Sequence, residues 1–439
     1  MNIDQLIREA ASWLWGPPML IFLSAVGIYF TLRLRGLQFT QLTTAARATY
    51  RYRSGAGKGN ISPLQSLFAA LGGLIGNGNL AGVATAIAVG GPGAIFWFWI
   101  SSFIAMIIVY AETRLATMER VEGSDGTYSG GPMHYIEKLL GIRWLALLFA
   151  LAMGFKSLLA TATIQSNSIA LASNSALGIR MIYTCLVLAA LTWLVTIGGL
   201  RTIARTLEKI TPVMVLAYFV TASLIILSHL DALISVLELI VQSAFTPAGA
   251  TGGFAGATVM MALRYGVARG FYSNEAGTGS SPIMYSTARF DSSHKIALIG
   301  MFGVVIDTLV GSLTAFVLLL TGVWASGETS TALTTSAFAD TFGDAGGLFL
   351  FITSFLFGYS TLIAWSFYGE QCFAYIWGPG IRKFYRWAFC LAICFGFFEA
   401  ELLWSWGDLL NALTVLINVV AVVLLIGYCL PKRRGELRE

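Results

Sequence analysis

Charge is what this sequence has least of. Only 11% of its 439 residues are Asp, Glu, Lys or Arg, against about a quarter in soluble domains, and no stretch is polar enough for a separate soluble domain. Histidine is almost as scarce: His134, His229 and His294 lie far apart in or near loops. With no H-E-x-x-H and no assembled Ser/His site, an intramembrane enzyme is disfavoured. The five cysteines, Cys185, Cys372, Cys390, Cys394 and Cys429, sit in or beside apolar stretches without an extracellular pairing pattern, so no disulfide is expected. Cys390 and Cys394 share a helix face, yet no His or carboxylate joins them at metal-ligand spacing, and core packing is the favoured reading. Filter-like repeats and acidic rings, the marks of a cation pore, are also missing.

What is present is apolar. Hydrophobic residues make up 56% of the chain, in runs of roughly the twenty residues that cross a hydrocarbon core about 30 Å thick. The pattern predicts an all-α membrane protein of eleven spans, near 14–33, 64–90, 93–118, 144–173, 181–199, 210–229, 256–286, 296–322, 346–372, 384–403 and 408–430. The first is read as a retained span, not a signal peptide, because Asp4 and Glu9 precede it and no small-residue cleavage site follows. The short stretch after Tyr428 is read as too small for a signalling domain, which disfavours an amino-acid sensor. Alternate loops hold 22 of the 27 Lys and Arg, among them Arg47, Arg51, Arg53, Arg201, Arg205, Lys383, Lys432 and Arg433, while only Arg8 and Arg180 fall opposite. Cytoplasmic loops accumulate basic residues, so the N-terminus is expected outside and the C-terminus inside. The net charge of +5 thus reports topology and implies no nucleic acid.

Two spans carry the same defect. "GGLIGNGNLAG", residues 72–82, interrupts the second, and "RGFYSNEAGTGSSP", residues 269–282, interrupts the seventh. Unwound backbone at membrane depth is tolerated only where protein or a wet cavity surrounds it. With the first span set aside, the interrupted helices open two sets of five with opposite orientation, the pattern of secondary transporters. The expected division is 1–60 (first helix and cytoplasmic loop), 61–230 (first repeat) and 250–432 (second repeat) within one transmembrane domain. A helix stopped in mid-membrane exposes N–H groups that suit a carboxylate and C=O groups that suit a cation. Glycines at 73, 76, 78, 82, 277 and 279 let the chain bend and a ligand touch backbone, and Asn77, Asn79, Asn274 and Thr278 add polar side chains. Helix packing through the G-x-x-x-G of Gly78 and Gly82 explains the glycines but not the asparagines.

"GNGNLAGVATAIAVGGPGAIFWFWI", "YSGGPMHYIEKLLG", "YGVARGFYSNEAGTGSSPI" and "SFYGEQC" resemble the alanine or glycine:cation symporters of prokaryotes over nearly the full chain. The resemblance implies a LeuT-like core of ten helices after one extra helix, and sodium-coupled uptake of small neutral amino acids across the cytoplasmic membrane. No cofactor, no nucleic acid and no obligatory protein partner is implied. It places the substrate near Gly76, Asn77, Gly78 and Asn79, with Asn274, Gly277 and Thr278 from the second break. Gln165 would reach the substrate and Trp365 would border its side chain. The cation is implied at Gly73, Asn77, Ser360 and Thr361, oxygen donors that suit a hard ion. Alternatives stay open: an interhelical hydrogen bond for Gln165, a structural aromatic for Trp365, and hydroxyls bonded to their own helix for Ser360 and Thr361. The sequence departs from the family's "GTGN" at Asn77 and from "AATVG" at "GGLIG", which bears on substrate choice and ion number.

Lys156, Asp307 and Glu275 lie deep in spans, where ionisable residues are functional candidates. Lys156 precedes Gln165 by nine residues, about 180° around a regular helix. It is therefore expected to face away from the polar stripe of Thr161, Gln165 and Ser168, either snorkelling or paired, with Asp307 as a candidate partner; reaching the cation site instead would make transport proton-linked or passive. Glu275 is expected to brace the second break through backbone N–H groups, and Arg264 and Arg269 to serve the outer half of that helix or a gate. Larger neutral substrates such as glutamine, sodium-independent transport and an ion channel remain as alternatives.

Overall fold

The computed structural model describes residue 9 and residues 13–246, 259–398 and 401–430. Arg8, Lys432, Arg433 and the start of the seventh expected span lie outside the described residues. The chain is mostly helical: α1 Pro17–Arg33, α2 Pro63–Leu74, α3 Val83–Gly90, α4 Ala94–Met118, α5 Pro132–Leu140, α6 Arg143–Phe155, α7 Ala162–Leu177, α8 Met181–Thr196, α9 Gly199–Ser228, α10 Leu233–Phe245, α11 Val259–Ser273, α12 Ser280–Tyr285, α13 Ser293–Leu320, α14 Ser330–Phe342, α15 Asp344–Trp377, α16 Arg382–Cys394 and α17 Glu401–Leu425.

Local chemistry sets several of these ends. Pro63 opens α2, and Ser62 and Gln65 cap it reciprocally, the Ser62 hydroxyl taking the Gln65 N–H while the Gln65 amide takes the Ser62 N–H. Among the described residues six helices are long and apolar enough to span a membrane. The pair formed by Pro63–Leu74 and Gly78–Gly90, bent by 52°, makes a seventh. Eleven spans were expected. Four expected spans fall outside that tally: α1 and α8 are apolar but shorter, α16 has only 13 residues, and the seventh span is described only from Val259, with α11 ending at Ser273 before the second break. Helices α5, α10 and α14 fall in stretches read as loops.

Helix α4 packs along α11 and α13. The approach to α11 depends on glycine, since a Cβ at Gly266 would stand 2.2 Å from the Ala94 carbonyl oxygen. Gly266→Ala is expected to cost about 2 kcal/mol, within the range for overpacking, read as a lower thermal unfolding midpoint in detergent; an unchanged midpoint would contradict it.

One end of the helical bundle is tied shut. Arg120 donates from Nη1 to Ser286 O (3.0 Å) and Ala288 O (2.6 Å) and from Nη2 to Lys58 O (2.7 Å), with its guanidinium 3.8 Å from the Phe290 ring centroid. Asn60 fastens the same segments to the 120–128 loop through Gly126 O and Tyr128 N. Nearby, burial pushes the His134 imidazole down to about 4; it contacts Ser129 Oγ and the Tyr375 ring and has no carboxylate partner there. All five cysteines are free thiols.

Candidate functional site

Helix α2 stops at Leu74, Ile75 turns to extended backbone, and a π-helical turn over Gly78–Gly82 leads into α3. The break exposes the Gly72 carbonyl, 3.2 Å from Thr361 Oγ1, a hydroxyl that also bonds back to Phe357 O (2.9 Å), and the Gly76 N–H, which donates to Asn79 Oδ1 (3.2 Å). Gly78 is exposed, and a Cβ there would meet nothing within 4 Å. Its bare backbone therefore opens onto space instead of packing against a helix. The second break runs from α11 to α12 through three residues at positive φ: Glu275 (49°), Gly277 (86°) and Gly279 (77°). For Glu275 this left-handed backbone is uncommon and places strain at the site.

A cavity of about 240 Å³ lies between the breaks, lined on the first by Gly73, Gly76, Asn77, Gly78 and Asn79 and on the second by Ser273, Glu275 and Thr278. Thr161, Gln165 and Ser168 line it as one helical stripe, with Thr361 and Trp365 facing them from α15. Asn77 is held from both sides, its Oδ1 accepting from Ser354 Oγ (2.9 Å) and its Nδ2 donating to Gln165 Oε1 (3.5 Å). Thr85, Arg269, Ser330 and Thr331 extend the lining away from the Arg120 end.

Three expected residues are turned elsewhere. Asn274 donates to Ser102 Oγ (2.9 Å) and Gly270 O (2.7 Å), inside the α4–α11 contact. Gly277 gives its N–H to Glu112 Oε1 (2.5 Å) and its carbonyl to Asn418 Nδ2 (2.8 Å), so its polar backbone is spent on protein. Ser360 bonds back to Phe357 O (2.9 Å). The Glu275 expectation is also corrected: its carboxylate takes the Trp365 Nε1–H (3.0 Å) and the Ser280 hydroxyl, while Glu112 supplies the brace to the N–H groups of Gly277 and Gly279.

Lys156 is the largest correction. It lines the cavity, donates to Asn411 Oδ1 (2.7 Å) and lies 4.2 Å from the Trp365 ring centroid; its charged neighbours are Glu275 and Asp408, not Asp307. The cause is a π-helical turn over Lys156–Thr161. One extra residue in that turn removes about 100° of rotation, leaving Lys156 roughly 80° from Gln165 instead of opposite it. Asn411, on α17, was not anticipated.

A family model described as "Sodium:alanine symporter family" matches residues 1–433. The chain belongs to the sodium:alanine symporter family. A sodium/alanine symporter of Methanococcus maripaludis is 36% identical, spanning 100% of this chain and 99% of the relative. A probable sodium/glutamine symporter of Bacillus subtilis is 35% identical over 96% of this chain and 88% of the relative. Among solved structures, MhsT crystallised with L-phenylalanine superposes with a TM-score of 0.62 at 16% identity, covering 87% of this chain and 95% of that one, which shows a LeuT-like fold. Membership makes this chain a multi-pass membrane transporter rather than an enzyme, of a class that couples amino-acid movement to sodium.

Proposed function

We propose that this family member takes up small neutral amino acids, alanine or glycine, with sodium by alternating access. The observation that carries the reading is the cavity built on the first break, whose lining brings Gly76, Asn77, Gly78 and Asn79 together with Gln165 and Trp365. A substrate carboxylate would sit against Gly76, Gly78 and Asn79, and the Trp365 ring would limit side-chain size. Sodium would sit beside Thr361 Oγ1 and the Gly72 carbonyl, drawing on the oxygens of Gly73 and Asn77. We place the N-terminus outside and the C-terminus in the cytoplasm, with two inverted five-helix repeats over 61–230 and 250–432. The segments tied by Arg120 would then close the cytoplasmic side while the cavity extends outward past Thr85 and Arg269.

One charge crossing 100 mV supplies about 2.3 kcal/mol, and a tenfold sodium gradient about 1.4. Together they would sustain roughly a 500-fold amino-acid gradient per ion. Alanine uptake into proteoliposomes is expected to rise with inward sodium and a negative interior. Equal uptake in choline would refute the coupling, and uptake following an inward proton gradient would favour proton linkage.

A second reading, a longer substrate such as glutamine, is favoured by Lys156 and Asn411 on the cavity wall, since a side-chain carboxamide would find both a donor and an acceptor there. Competition of alanine uptake by glutamine separates the two.

A further inference from the structure

Between Glu9 and Glu112 the sequence holds no acidic residue, yet it holds six basic ones, Arg33, Arg35, Arg47, Arg51, Arg53 and Lys58. All six lie in or at the start of the elbow that joins α1 to α2, and all six are exposed. Among the described residues none of them enters an ion pair. Asp291, which lies nearby, is matched by Lys295 (3.4 Å), whose ammonium is 4.5 Å from the Tyr52 ring centroid. The positive-inside rule accounts for the side of the membrane on which these residues lie. It does not account for the lack of an acid to balance them, nor for the side chains set between them.

Those side chains are aromatic. Phe39 and Tyr50 are 63% and 75% exposed, and the Phe39 ring lies 4.7 Å from that of Phe103 on α4. The short helix Leu42–Arg51 buries Ala45 and Ala48 and packs on α13, which leaves Arg47 and Arg51, one turn apart, on its exposed side. The Arg53 guanidinium lies 5.2 Å from the Tyr50 ring centroid and that of Arg51 5.9 Å from Tyr52. A guanidinium beside a ring keeps its edge N–H groups for an anion. Because the apolar α1 ends at Arg33, the elbow leaves its helix at headgroup level, where exposed rings interleaved with basic residues are at home.

We propose that this elbow is a binding surface for anionic phospholipid, with Arg47, Arg51 and Arg53 taking the headgroup phosphate and Phe39 and Tyr50 flanking the acyl chains. Arginine meets phosphate with paired N–H donors, and a cluster of basic residues beside a membrane helix is drawn to an anionic leaflet. A zwitterionic headgroup carries its own cation next to the phosphate and gains less. The bound lipid also steadies the tied end of the bundle. Residues 55–59 continue the elbow along the backbone of 288–290, so closely that a Cβ at Gly59 would stand 2.3 Å from the Ala288 carbonyl oxygen and one at Gly57 2.5 Å from that of Phe290. The Lys58 carbonyl in that stretch takes the Arg120 N–H. A phospholipid on Arg47, Arg51 and Arg53 thus anchors one side of the tie to the leaflet.

Lipid titration of the purified full-length protein in detergent, with bound lipid read by native mass spectrometry, tests the surface. Wild type is expected to bind phosphatidylglycerol about tenfold or more tighter than phosphatidylcholine. Arg47→Gln, Arg51→Gln and Arg53→Gln together should weaken phosphatidylglycerol by roughly 100-fold, about fivefold for each basic residue at an anionic surface, and leave phosphatidylcholine unchanged. Arg47→Lys, Arg51→Lys and Arg53→Lys together keep the charge and should stay within about tenfold of wild type. Removing equal charge from α9, where Glu208 sits among the basic residues, as Arg201→Gln, Arg205→Gln and Lys209→Gln, should cost less than about fivefold. Equal binding of the two lipids by wild type, undiminished phosphatidylglycerol binding in the elbow glutamine variant, a lysine variant as weak as the glutamine one, or an equal loss in the α9 variant overturns the proposal. Thermal unfolding reads the anchoring: phosphatidylglycerol should raise the midpoint of wild type but not of the elbow glutamine variant. An unchanged wild-type midpoint overturns the anchoring, and inorganic phosphate raising it as far overturns the lipid assignment in favour of a free anion.

Discussion

Glu112→Ala is expected to destabilise the transporter more than any other single change considered, by roughly 3–6 kcal/mol. Glu112 is fully buried on α4. Its two oxygens take the Gly277 N–H (2.5 Å) and the Gly279 N–H (3.1 Å), groups aimed at it because both glycines have positive φ, a conformation that residues bearing a Cβ resist. Asn418 holds the other side of the segment, donating to Gly277 O while it accepts from Tyr135 Oη. Alanine would leave two N–H groups with no acceptor and no water. Each hydrogen bond to a charged group contributes about 1.5–3 kcal/mol, against a total stability on the order of 5–15 kcal/mol. Glu112→Gln keeps an acceptor for one N–H and turns an NH2 toward the other, so it should fall between. Thermal unfolding of the three proteins orders them wild type, Gln, Ala. An alanine variant melting within about 2 °C of wild type would show that the second break does not depend on this carboxylate.

The same residue shows where sequence reading ended. Both breaks were legible because glycine and asparagine are conspicuous in an apolar run, and because unpaired backbone must turn inward in a membrane. What fills each break was not legible. Gly277 and Asn274 carry the same residue types as the cavity wall, yet Glu112, 165 positions away in sequence, has already taken the Gly277 N–H, and Ser102 has taken the Asn274 amide. Periodicity located the stripe of Thr161, Gln165 and Ser168, which lies within regular helix apart from its first member. It misplaced Lys156 because a π-helical turn changes the residue count per turn without a composition signal. Not every one of the eleven expected spans is matched by a long apolar helix among the described residues, for a different reason. Shorter apolar helices such as α1 and α8 meet the core as part of a bundle, and hydropathy alone does not set their ends.

Neutralising Lys156 alone, as Lys156→Met, is expected to cost about 3 kcal/mol, and Glu275→Gln a similar amount, whereas the double variant should recover most of the loss. The two charges share one tryptophan: the Lys156 ammonium lies over the Trp365 ring at 4.2 Å, and the indole N–H donates to Glu275 Oε1 at 3.0 Å. Lys156 is buried, and Glu275 is partly buried in strained backbone. Removing one partner of such a pair leaves an uncompensated charge, worth about 3–5 kcal/mol in closed interiors; the adjoining cavity places the expectation at the low end. Removing both leaves a neutral contact of similar shape around Trp365. Unfolding midpoints for the four proteins form a double-mutant cycle, and additive losses would mean that the two charges do not sense each other. Alanine binding by the same proteins separates stability from recognition. Because Lys156 and Glu275 line the cavity beside Gln165, a folded double variant that still binds alanine but no longer distinguishes it from glutamine would locate side-chain selection at this pair.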